Sequence, residues 1–536
     1  PPGAGMTAGD RTARRGLVWS PGRGAARKAR SALRSLLCVV AVGVLAGIAA
    51  IVFYALVEWA TDVFLGLLVG HHPATVAGDG QARPATGFAR PWALPLVAAG
   101  GAAAAVFLAG RVTPKTTGHG TDALIDAAHT EPERMGLRVL GRKMAGATVM
   151  IGSGGSGGTE GPIAQIGGTL GSTVARTAGV TRQRARTLLL TGAAAGIGAI
   201  FRAPMGGAVI GAELLYRRGL NVGCIPPALL GSGIAYGLFV LVHGPTPTFG
   251  ALSITVPWAF PDLLPLLAAF AVLGVLCGLL GRLYACLLYS VLRATRWAVG
   301  KGTGRRAAVL GYLFPALGGL LVGTLGLVFP GVAGTGYGTA QAVMDQRQVL
   351  SLAWWTLLLL PVMKAVATSL SIGTGGPGGV FGPGLVIGAT AGGALWRVSD
   401  ALGLEGPGPA AFAIVGMAAC LGPIIHAPLG VSILVFEATL SPGLLLPTLL
   451  AVMLARWIVG DRSLYRSQRR SVPGLRVPMA LTAAIVALRR KLFRHPVRPE
   501  EDRPSVRMEP GPACGPGRAQ AEDGRKSRSV ARSDVR

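Results

Sequence analysis

A carboxylate, Glu160, stands at the end of a glycine run: Gly152-Ser-Gly-Gly-Ser-Gly-Gly158, then Thr159-Glu160-Gly161-Pro162. Lipid cannot satisfy backbone N–H groups, so such a run is tolerated at membrane depth only where it lines a polar cavity. Proline in a first turn signals a helix start, which predicts a helix from Ile163. A second segment reads Gly373-Thr-Gly-Gly-Pro-Gly-Gly-Val-Phe381-Gly382-Pro383 and predicts another helix from Gly384. Two helix N-termini at one depth would each offer unpaired N–H groups and about half a positive charge. That is a site for an anion without any fully charged ligand, so the ion can leave as well as enter. An acid in such a segment is expensive and marks function. Deprotonated, Glu160 can occupy the anion position as a tethered competitor; protonated, it swings away. The alternative role is a plain cap on the following helix.

The two segments are parts of one repeat. Residues 143–171 slide onto 364–392 without a gap, 221 positions on, matching Lys143 to Lys364, Gly158 to Gly379 and Gly161-Pro162 to Gly382-Pro383. Ala203-Pro204, ending in Glu213, is matched 224 positions on by Ala427-Pro428, ending in Glu437. Related halves, each with a glycine-broken apolar segment at the same place, point to a transport site between the repeats.

Composition says where such a site resides. Half the residues are apolar and 14% are charged, too few for a typical soluble protein. Apolar stretches at 36–60, 91–109, 228–242, 263–292, 307–328, 350–366 and 444–455 are candidates for spanning or buried helices. The expected class is an all-α, polytopic integral membrane protein.

The net charge of +28 is concentrated at the ends, with 8 basic side chains in residues 1–35 and 18 in 461–536. The positive-inside rule accounts for this and predicts cytoplasmic termini and an even number of crossings. Neither tail has the interleaved aromatics of a single-strand groove, so no nucleic acid is expected. The expected division is a basic segment (1–35), two membrane repeats (36–243 and 244–470) and a basic, mostly disordered tail (471–536). Within that tail, Met479 to Arg494 could lie on the inner leaflet as an amphipathic helix. The six scattered cysteines read as hydrophobic filler.

Other chemistries fit poorly. Gly152-x-Gly154-x-x-Gly157 matches a dinucleotide fingerprint, but the next acid after Glu160 is Glu213, too distant for the ribose partner. Seven histidines and sparse acids are poor material for a membrane-embedded enzyme. His119, Asp122, Asp126 and His129 have the spacing of no familiar metal site. No cofactor or metal is expected.

The residues resemble the CLC family of chloride channels and proton-coupled chloride exchangers over about 35–470. Gly-Thr-Glu160-Gly-Pro looks like the family's GREGP, Gly379-Val-Phe381-Gly-Pro383 like GxFxP, and Tyr465 like the pore tyrosine; Gly118-His-Gly-Thr-Asp122 sits where GSGIP is expected. The resemblance implies a bacterial plasma-membrane homodimer, each subunit holding its own pore between inverted repeats of broken, tilted helices. It implies a central anion held by the N–H groups of Val380 and Phe381 and by the Tyr465 hydroxyl, with His119 and Gly120 alongside. Amides around Glu160, Gly161 and Pro162 serve an outer anion, Glu160 is gate and proton acceptor, and Lys143 and Glu213 shape the pathway's electrostatics. Chloride and protons are the implied cargo, with other small anions able to stand in chloride's place.

Three positions depart from the family pattern. His119 replaces the usual Ser, which makes chloride preference less secure than anion transport. Thr159 replaces an Arg, removing a charge that would favour the ionised gate. Leu214 stands where exchangers carry an inner proton-transfer Glu, which predicts weak or absent coupling, with Glu213 or water as the substitute carrier. A tightly coupled antiporter and a fluoride exporter of the same family are the alternatives.

Overall fold

In the computed structural model, residues 21–80, 82–110, 119–252, 254, 263–302, 304–404 and 406–472 are described. All belong to the first of two units, Pro1–Leu475; the second is Arg476–Arg536. Gly118, the expected Met479–Arg494 helix and nearly all of the basic tail lie outside the described residues.

The first half holds α1 (Pro21–Thr61), α2 (Ala93–Ala109), α3 (Thr121–His129), α4 (Leu137–Gly152), α5 (Glu160–Thr177), α6 (Arg182–Ile200), α7 (Pro204–Glu213) and α8 (Ile225–His243). The second holds α9 (Leu263–Gly300), α10 (Gly304–Val328), α11 (Tyr337–Ala342), α12 (Gln346–Ser351), α13 (Trp354–Gly373), α14 (Phe381–Ala401), α15 (Pro409–Ile424), α16 (Pro428–Thr439) and α17 (Leu445–Val459). Among the described residues, extended pairing is limited to two isolated bridges, Gly158 with Gly379 and Tyr216 with Arg469. The fold is all-α.

Among the described residues six helices are long and apolar enough to cross a bilayer: those within Lys28–Val69, Val222–His243, Leu264–Gly300, Gly304–Val328, Trp354–Gly373 and Pro442–Val459. Exposed leucines such as Leu241, Leu264 and Leu446 give them a surface suited to lipid. The stretch 350–366, expected as one piece, is divided. Asp345 caps α12 by accepting the Gln348 N–H at 2.9 Å, and the extended backbone of Leu352 and Ala353 separates it from α13.

Alongside these spans lie α5, α6, α14 and α15, which are buried over most of their length and carry glycines at their contacts. α5 packs on α6 as α14 packs on α15, with backbones in contact. A Cβ on Gly167 would stand 2.1 Å from the Gly192 carbonyl oxygen, and one on Gly388 would stand 2.1 Å from that of Gly416. Small residues let helices approach closely where lipid supplies no hydrophobic drive. The two pairs occupy equivalent places in the sequence repeat, so the halves share one packing scheme.

α5 and α14 begin at Glu160 and Phe381, three residues before the expected starts at Ile163 and Gly384. The first four N–H groups of a helix have no intrahelical acceptor, so Pro162 and Pro383 sit inside the first turn and cost no hydrogen bond.

Candidate anion pathway

The N-termini of α5 and α14 meet tip to tip. Gly158 donates its N–H to the Gly379 carbonyl at 2.8 Å, and Gly379 returns the bond to Gly158 at 2.9 Å. Such an approach needs glycine, because a Cβ on Gly379 would stand 2.5 Å from the Gly158 oxygen. Both segments are buried, so their backbone groups must find partners within the protein.

Glu160 is buried at this junction, 1% exposed. One carboxylate oxygen accepts the Gly382 N–H of α14 at 3.0 Å. The other accepts the Thr159 hydroxyl at 3.1 Å and the Tyr337 hydroxyl. A side chain of the first half thus caps the helix N-terminus of the second, where an anion would otherwise be drawn. Val380 and Phe381 stand at the same N-terminus, ahead of any helical carbonyl that could accept their N–H groups. On α5 the matching places are held by Thr159 and Glu160, and Gly161 matches Gly382, whereas Pro162 has no N–H to give.

Tyr465 and His119 also lie near this junction. Both are buried, with ring centroids 5.5 Å apart, and His119 Nδ1 has no hydrogen-bond partner among the described residues. The Thr121 hydroxyl is beside the Tyr465 hydroxyl. Gly120, at φ +78°, turns the chain into α3 against α5: a Cβ on Gly161 would stand 2.6 Å from the His119 carbonyl oxygen. The Lys143 side chain and Gln165 both crowd Gly120, so the buried ammonium stem belongs to this cluster.

The other expected residues have different neighbours. Glu213 accepts the N–H groups of Leu429 (3.4 Å) and Gly430 (2.7 Å) at the start of α16. Leu214 is buried, and its carbonyl accepts the Gln468 side chain at 3.0 Å. The residues weighed as metal ligands diverge: Asp122 accepts the Ser467 N–H at 2.9 Å, while His129 Nε2 lies 3.2 Å from the Leu215 carbonyl. Among the described residues no group of three His, Cys, Asp or Glu side chains could hold a metal ion.

A family model described as voltage gated chloride channel matches residues 101–460. The chain belongs to the voltage-gated chloride channel family. Anion transport across a membrane is therefore its activity class. The chain is 33% identical over 315 residues to a ClcB-like chloride channel protein of Ralstonia nicotianae, a match covering 58% of this chain and 69% of that protein. It is 30% identical over 370 residues to the H(+)/Cl(-) exchange transporter ClcA of Vibrio parahaemolyticus, covering 67% and 75%. Its fold superposes on a slow cyanobacterial Cl-/H+ antiporter with a TM-score of 0.65 at 24% identity, covering 85% of this chain and 99% of the other.

This chloride-channel-family site holds three residues that sequence reading did not single out. Tyr284 of α9 donates its hydroxyl to the Val380 carbonyl at 3.1 Å and so fixes the peptide that opens α14. Thr121 joins Tyr465, and Tyr337 joins Glu160. One signal was available: Gly118-His-Gly-Thr121 and Gly334-Thr-Gly-Tyr337 share a Gly-x-Gly-x pattern, at nearly the same offset as the glycine repeat.

A cavity of about 740 Å³ opens on the Glu160 side. Thr159, Phe201, Arg202 and Tyr337 line it, together with the acids Glu58, Asp62 and Asp79.

Proposed function

We propose that this protein moves chloride and other small anions between α5 and α14, with Glu160 as gate and proton acceptor. The observation that carries this reading is the Glu160 carboxylate seated on the Gly382 N–H of the opposing helix. A carboxylate bound to an anion-attracting N-terminus competes with any anion entering there. Protonation removes its charge and its preference for that seat, and the anion replaces it.

The central anion is held by the N–H groups of Val380 and Phe381 and the Tyr465 hydroxyl, with His119 and Gly120 beside it. The outer anion uses the amides around Glu160 and Gly161, and Lys143 adds positive potential. Proton coupling is weak, because Leu214 occupies the place of the exchangers' inner proton carrier and cannot bind a proton. The working unit is a homodimer in a bacterial plasma membrane, with both termini cytoplasmic and one pathway per subunit.

The test is chloride efflux from liposomes with simultaneous pH recording, for the parent and Glu160→Ala. The variant should keep anion flux and lose its pH dependence. An unchanged pH response would mean that another carboxylate gates the pore, and proton movement driven uphill at a fixed ratio to chloride would refute weak coupling. Nitrate and fluoride in the same assay measure preference.

A further inference from the structure

The Tyr337 hydroxyl donates to the carboxylate oxygen of Glu160 that Gly382 does not hold. Tyr337 opens α11 and belongs to the second half, like Gly382, whereas Glu160 belongs to the first. Its ring is packed between Phe201 (centroids 6.0 Å apart) and Phe249 (6.2 Å), so the hydroxyl has little freedom to turn away. It also borders the cavity leading to the gate.

Its backbone is equally fixed. Gly336, at φ +79°, turns the chain into α11 as Gly120, at φ +78°, turns it into α3. The buried Lys364 ammonium donates to the carbonyls of Val332 and Gly334, both at 3.0 Å, just before this turn. Lys364 and Gly336 stand together as Lys143 and Gly120 do. Thr121 and Tyr337 are therefore counterparts, each the first residue of its short helix. Thr121 meets Tyr465, and Tyr337 meets Glu160.

From this geometry we propose that Tyr337 is a latch on the gate, a positioning residue that holds the Glu160 carboxylate closed over α14. The proposal rests on Glu160 being the gate. Among the described residues, Tyr337 of α11 touches Glu160, and Tyr284 of α9 and Tyr465 beyond α17 are near enough to interact with it electrostatically. Arg202, Glu58, Asp62 and Asp79 line the adjoining cavity. A phenol that donates to the carboxylate favours its ionised, seated form. Tyr337→Phe keeps the ring between Phe201 and Phe249 and deletes only that donor. Less acid is then needed to release the gate.

The test uses full-length protein in liposomes, with chloride efflux measured across pH for the parent, Tyr337→Phe, Glu160→Ala and the double variant. A monodisperse size-exclusion profile serves as the check on folding. The midpoint of the flux curve in Tyr337→Phe is expected to move to higher pH by about one unit, the scale of one hydrogen bond to a charged group. In the Glu160→Ala background the same substitution should change nothing. An unmoved midpoint in Tyr337→Phe overturns the latch while leaving the gate intact. So does a flux change of equal size at every pH, or one that persists without Glu160. If Glu160→Ala itself retains the pH response, the gate assignment fails and the latch fails with it.

Discussion

Glu213 and Glu437 each cap the helix that carries the other. Glu213 closes α7 and accepts the Leu429 and Gly430 N–H groups of α16; Glu437, in α16, accepts those of Met205 (3.1 Å) and Gly206 (2.6 Å) at the start of α7. The helices cross through glycine, since a Cβ on Gly206 would stand 2.4 Å from Leu434 Cα and one on Gly430 would stand 2.6 Å from the Ile210 nitrogen. Both carboxylates are largely buried, so the four bonds act in a medium that strengthens them.

Glu213 and Glu437 should therefore behave alike. Glutamine at either place leaves one buried N–H facing an amide NH₂, at a cost of about 2 kcal/mol. Glu213→Gln and Glu437→Gln should lower the unfolding temperature by similar amounts and leave the midpoint of the pH–flux curve unchanged. A shifted midpoint in Glu213→Gln at unchanged stability would instead make Glu213 the substitute proton carrier.

The Gly158–Gly379 contact should tolerate no side chain. To seat a methyl group at Gly379, the two turns must separate by about 1 Å to reach ordinary contact. Positioning errors of that size disable preorganised sites, so Gly379→Ala should lose roughly tenfold or more of its anion flux. Parent-like flux in liposomes would show that this junction does not shape the pathway.

Tyr465 and His119 should split affinity from preference. Tyr465→Phe removes one hydroxyl donor, worth about 1 kcal/mol, and should weaken chloride binding roughly fivefold by calorimetry. His119→Ser restores the hydroxyl usual in the family and should raise chloride flux relative to nitrate. An unaltered ratio would mean that the ring faces away from the ion.

Lys364 should matter for structure before conduction. Lys364→Met keeps the apolar stem but leaves the Val332 and Gly334 carbonyls without their buried donor, at a cost of about 1–3 kcal/mol for each group. The variant should unfold at a lower temperature and, because Gly334 leads into Tyr337, should also raise the midpoint of the pH–flux curve.

The glycine repeat was legible in the sequence because close backbone contact admits no other residue, so Gly158 and Gly379 align by themselves. The long spans were legible for a different reason, their lipid-facing leucines. α6 and α15 were not: α6 is built largely of Gly, Ala and Thr and carries a weak apolar signal, and α15, though apolar, is a helix of 16 residues, too short to stand out as a span. Glu160 stood out as an acid in an apolar setting. Tyr337 was hidden because its counterpart is a threonine: the backbone turn repeats, but the side chain has diverged to face a different partner. The repeat showed Glu213 and Glu437 to be matched, but their partners depend on how α7 and α16 cross, which spacing along the chain cannot reveal.

The joint between Gly158 and Gly379 limits how such a molecule can work. Many carriers expose their cargo to each side in turn by rocking one half against the other. Here that tilt would tear open the paired turns at the centre and pull both carboxylates off the crossed helices beside them. A gate of the kind proposed for Glu160 instead needs a frame that stays still while a single side chain swings, a turnstile set in a fixed wall.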